Sequence, residues 1–141
     1  MIEYLGITMD ESTQRCLVDL RKALLHLHKV LLERERIAYE QVHGRVAAGE
    51  LLKLLIQHPQ FAWLHAVSEV VVRIDEVLDG EEEMAEEQAR LILNETRSLL
   101  VPAEDGTGFA NKYYLALQRD PSAVLAHRAV SKVLAAGIRD A

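Results

Sequence analysis

A chain of 141 residues, half of them apolar, is long enough to bury one core and short enough to form one domain. Its formal net charge of -6 works against unassisted binding to nucleic acid or to an anionic membrane surface, since both need a positive field to offset phosphate charge. With a single cysteine, Cys16, neither an intramolecular disulfide nor a zinc cluster of thiolates can form.

The opening residues MIEYLGITMDES contain no basic region followed by an apolar one, and no eighteen-residue apolar run occurs anywhere. The expectation is a cytoplasmic chain with neither signal peptide nor membrane span.

Leu17, Leu20, Leu24, Leu27, Leu31 and Ala38 recur at helical spacing, and Val18, Leu25 and Leu32 widen that stripe. Thr8 with Glu11 reads as a capping box, and Gly44 as a left-handed stop. A helix over 9–43 would be about 50 Å long, more than a compact domain of this size needs. Either it bends or part of it packs on another subunit.

A short helix over 47–57 carries Leu51, Leu52, Leu54, Leu55 and Ile56, and His58-Pro59 ends it because the residue before proline leaves helical space. The spacing predicts a third helix over 60–79, closed by Asp79-Gly80; its valines 70–72 favour strand, but the apolar pattern is too long for one. The acidic run Glu81, Glu82, Glu83, Glu86 and Glu87 opens a fourth helix over 84–100, where carboxylates complement the helix dipole. Pro102 and the turn at 104–108 precede a fifth helix over 108–118. Asp120-Pro121 then starts a sixth, with aspartate as N-cap and proline in the first turn. The predicted fold is an all-α, single-domain bundle of five to six helices with a long first helix.

Glu69, Arg73 and Asp75 interrupt an otherwise apolar third helix, and a buried charge is costly unless paired. Glu69 and Arg73, four apart, can pair along their own helix. Asp75 then points inward and needs a partner, for which Arg34, Arg36 and Tyr39 of the first helix are the candidates. Such a cluster is either a structural ion-pair clamp or a polar ligand pocket.

A metal alternative rests on His28, Glu33, Glu40 and His43, because Glu40 and His43 form a Glu-x-x-His pair of the kind used in di-iron bundles. Those sites need a second such pair, which the sequence lacks. The histidines read better structurally: His28 and His65 as hydrogen-bonded residues beside apolar stripes, His43 and His58 as helix-end residues, His127 as a surface residue. Gly106-Thr107-Gly108 lacks phosphate-loop spacing, and the serines lack any nucleophile context. The last third is locally basic through Lys112, Arg119, Arg128, Lys132 and Arg139, with Tyr113-Tyr114 near by, but these are spread too widely for a nucleic-acid surface.

The segments ERIAYEQVHG, FAWLHAVSEVVVRIDE and NKYYLALQRDPSAVLAH resemble a widespread group of small bacterial all-helical proteins, over about 26–130. The resemblance implies a bacterial, cytosolic setting and brings no activity, cofactor or catalytic residue. The functional expectation is a non-catalytic bundle with no cofactor that acts through protein-protein association as a homodimer, since surplus apolar surface marks an interface. The alternative is a ligand- or metal-binding bundle with a carboxylate and histidine pocket.

Overall fold

In the computed structural model residues 9–80, 84–106 and 108–138 are described. They form six α-helices and one 3₁₀ segment, with no strand among the described residues.

Leu17, Leu20, Leu24, Leu27 and Leu31 lie three or four residues apart on one face of α1 (Glu11–His43), and all five are fully buried. Burying each is worth about 1.5–3 kcal/mol, so this stripe is the axis of the bundle. After a short loop, α2 (Ala48–Gln57) ends at His58, and a 3₁₀ segment (Pro59–Leu64) leads into α3 (His65–Leu78). The chain then forms α4 (Ala85–Leu99), α5 (Phe109–Arg119) and α6 (Pro121–Ala136). α1 packs most extensively against α6 and α3, and α4 closes on α3.

The third predicted helix divides in two. Its first two turns are 3₁₀, entered at Pro59, with His58 Nδ1 accepting the Gln60 amide at 3.1 Å as the N-cap. With three residues per turn, Phe61 and Leu64 share one side, and both are fully buried. From His65 the pitch becomes α-helical, and Val67, Val70, Val71, Ile74 and Val77 face the core.

Other boundaries follow the local signals. Gly44 takes φ 86° and its amide bonds the Glu40 carbonyl, a backbone state that favours glycine. Asp120 Oδ1 accepts the Ser122 amide at 2.9 Å with Pro121 in the first turn of α6. Thr8 of the expected capping box, Glu81–Glu83 of the acidic run, Thr107 and Arg139 lie outside the described residues.

The N-terminus of α1 is capped from a distance. The N-cap Asp10 makes no side-chain cap bond there; instead Glu86, in the first turn of α4, accepts the Asp10 amide and the Thr13 hydroxyl, each at 2.6 Å. Thr13 is fully buried, so without Glu86 its hydroxyl would lose its partner. One carboxylate thus satisfies α1, ties it to α4 and sits at the favourable end of the α4 dipole.

Glu86→Ala is expected to lower the unfolding free energy by about 1–3 kcal/mol, read as a lower urea midpoint at unchanged slope. Glu86→Gln, which keeps an acceptor, should lose less. A midpoint unchanged in Glu86→Ala would show that the cap contributes nothing.

Candidate functional site

The charged residues of α3 lie at its margins, with the valine and isoleucine face turned to the core. Glu69 is exposed; Arg73 and Asp75 are partly exposed. Arg73 does not pair with Glu69. It makes a two-pronged bond to Glu95 of α4, Nη1 to Oε2 at 2.6 Å and Nη2 to Oε1 at 2.5 Å. This bond holds the Glu95 carboxyl below its ordinary range and raises the guanidinium above its own.

Asp75 takes Arg21, with Nε to Oδ1 at 2.5 Å and side chains 41% and 47% exposed. None of the three predicted partners reaches it, because α3 runs antiparallel to α1. Glu35 of α1 sits opposite Gln60 and Trp63, accepting Trp63 Nε1 at 2.8 Å and Gln60 Nε2 at 2.9 Å. From Trp63 to Asp75 is twelve residues along the 3₁₀ segment and α3, and from Glu35 to Arg21 is fourteen back along α1. Arg34, Arg36 and Tyr39 are therefore at the wrong end.

Their actual surroundings differ from one another. Arg36 bonds both Glu33 and Glu40 along α1, and the bond to Arg36 draws the Glu33 carboxyl below its ordinary range. Tyr39 stacks on His43 with ring centroids 4.1 Å apart and lies against Phe61 and His58 at 6.0 and 5.5 Å. Arg34 projects into a groove described below.

Of the metal alternative, Glu33 and Glu40 converge, but on the Arg36 guanidinium. Glu40 also accepts the Val46 amide at 2.9 Å, and His43 Nδ1 sits 3.3 Å from the Tyr39 carbonyl. Among the described residues no three His, Cys, Asp or Glu side chains are grouped so as to hold a metal ion.

His28 differs from its expected role. Its Nε2 is buried with no hydrogen-bond partner among the described residues, whereas His65 Nε2 donates to the Leu55 carbonyl at 2.6 Å. Burial, reinforced by neighbouring His65, pushes the His28 pKa below its usual value. His127 is half-buried, not at the surface. Its Nδ1 shares a hydrogen bond with the hydroxyl of fully buried Tyr113 at 2.6 Å, and burial lowers its pKa too while raising that of the phenol. Phe109 stacks on Tyr113 at 5.3 Å and tilts against Trp63 at 5.4 Å, so an aromatic row joins the 3₁₀ segment, α5 and α6.

One concavity among the described residues is not marked by the sequence. A groove of about 970 Å³ runs along α1 from His26 to Gln41, with the α5–α6 corner as its opposite wall. Val30, Ile37, Ala38, Leu115 and the edge of Trp63 supply its apolar lining. Lys29 and Arg34 stand on one wall, Lys112 and Arg119 on the other. The only sequence signal was the basic character of the last third, which does not reveal that α1 lends two more cations.

No family model, curated protein or solved structure matches the chain. No helix among the described residues is long and apolar enough to cross a membrane.

Two outcomes follow. Because both partners are more than a third exposed, Asp75→Asn is expected to cost at most about 1 kcal/mol in urea unfolding; a loss of several would make this pair a buried clamp after all. For His28 and His127, whose folded-state pKa values lie below the ordinary 6.5, the unfolded chain binds protons first. Stability is therefore complete above 6.5 and falls as pH drops through it. His28→Leu should flatten part of that decline, and an identical pH profile would refute the assignment.

Proposed function

We propose that the protein is a non-catalytic helical bundle that works through protein-protein association, as a homodimer in a reducing bacterial cytosol. The observation that carries the reading is an apolar surface beyond the reach of the core. The last buried residue of α1 is Leu31, with twelve residues of helix still to come.

Along that remainder Val42 is 79% exposed. α2 has no buried residue at all. Leu51, Leu54 and Leu55 are half-covered by the core, while Leu52 and Ile56, four apart on the other side of α2, are 57% and 60% exposed. An amphipathic helix is expected to hide such residues, and a second copy of the same surface is the commonest cover. The buried Cys16 thiol, whose pKa burial raises, fits a setting where disulfides are not formed.

The measurement is molar mass in solution by light scattering. The wild type is expected at twice 15.9 kDa at micromolar concentration. Leu52→Glu/Ile56→Glu should shift it to the monomer without lowering the unfolding temperature of the single chain, since neither side chain is buried within it. A wild type at 15.9 kDa throughout the micromolar range would end the homodimer reading.

A further inference from the structure

We infer that the groove between α1 and the α5–α6 corner receives an acidic amphipathic helix of a separate protein partner. This goes beyond self-association, because it uses the Lys112 and Arg119 side of α1, apart from Leu52 and Ile56 of α2.

Three observations carry it. The first is size and shape. The lining spans His26 to Gln41, about 22 Å at 1.5 Å per residue. That is some four helical turns, and a floor of Val30, Ile37, Ala38 and Leu115 offers an apolar track of the kind that takes one face of a helix.

The second is charge. Lys29 and Arg34 from α1 and Lys112 and Arg119 from α5 line the groove, and none makes an ion pair with a described residue, although the charge of Lys29 acts on the Glu33 carboxylate. Glu33, Glu35 and Asp120 line the groove as well; Arg36 offsets the charge of Glu33, while Glu35 and Asp120 accept from neutral donors and stay charged, so the four cations exceed the remaining carboxylates by two. A cationic rim on a chain of net charge -6 is complementary to Glu or Asp flanking an apolar stripe.

The third is the position of Lys112. It stands in the first turn of α5, a turn with no acidic residue, where the helix dipole disfavours a cation. An incoming carboxylate would offset that charge. Arg119, in the last turn, suits the dipole and needs no such account.

Trp63 makes the test direct, since it is the only tryptophan of the chain, lies at the groove and is 8% exposed. The probe is a synthetic four-turn peptide without tryptophan, with leucines along one face and glutamates beside them; a twin carries lysines instead. Both are titrated into the full chain carrying Leu52→Glu/Ile56→Glu, so that failure of the dimer reading does not touch the result.

The glutamate peptide is expected to change Trp63 emission saturably, to weaken with added salt, and to bind about tenfold or more tighter than its lysine twin. Lys112→Glu/Arg119→Glu should reverse that order. If circular dichroism shows this variant unfolded, Arg34→Glu replaces it, with an expected loss of about threefold. Equal binding of the two peptides, no binding, or an affinity indifferent to the charge reversals would overturn the inference. Laurate saturating the same signal without being displaced by the peptide would overturn the helical occupant in favour of a small amphiphile. Emission that depends on protein concentration alone would overturn the separate partner in favour of a second copy.

Discussion

Burial of the leucine face of α1 is the constraint from which the rest of the architecture follows. Leu17 through Leu31 fill the centre, so α3 and α6 must both lie along that face and turn their own small and branched residues to it: Val67, Val70, Ile74 from one, Ala123, Ala126, Val130 from the other. Alanines on α6 allow close approach of the helix that α1 contacts most. Once α3 is antiparallel to α1, the pairing of Trp63 with Glu35 and of Asp75 with Arg21 marks its register at both ends.

The polar ties differ in what they contribute, and exposure decides it. Arg21–Asp75 and Arg73–Glu95 have side chains between 35% and 52% exposed, where screening and side-chain entropy consume most of the Coulomb gain. Their contribution is to alignment, since each links two different helices. Glu86 is of another kind: it satisfies a fully buried hydroxyl, so its loss costs the desolvation of that group as well as the bond. The same reasoning applies to Tyr113 and His127, where a buried phenol would otherwise lose this hydrogen-bond partner.

Much of this fold is legible in the residues, because helix boundaries are local. Gly44, His58-Pro59 and Asp120-Pro121 each fix a helix end by steric or hydrogen-bonding rules that act within a few positions. The leucine stripe likewise announces its buried face through spacing alone. What spacing does not contain is the offset between helices, which depends on how loops and the 3₁₀ segment place one axis against another. Arg21 as partner of Asp75, Glu95 as partner of Arg73 and Glu86 as cap of Thr13 all depend on that offset. The candidate site is legible to a smaller degree still: Arg34, whose sequence position suggests a role near Asp75, lines the groove, while Lys29, Lys112 and Arg119 come to it from turns that no sequence pattern connects.

The length of α1 gains a physical meaning from where its buried stripe stops. Up to Leu31 each turn of the helix is held by core contacts; beyond it, support comes from Leu32 on the core, from Glu35 with Trp63 and Gln60, and from Tyr39 against Phe61 and His58. α2 is held through half-covered leucines and the His65 bond to its Leu55 carbonyl. Backbone with few buried apolar contacts opens at lower free energy than the core. This thinly supported part of the described residues also holds exposed Val42, Leu52 and Ile56, and any surface that covers them adds contacts that the core of the bundle does not supply.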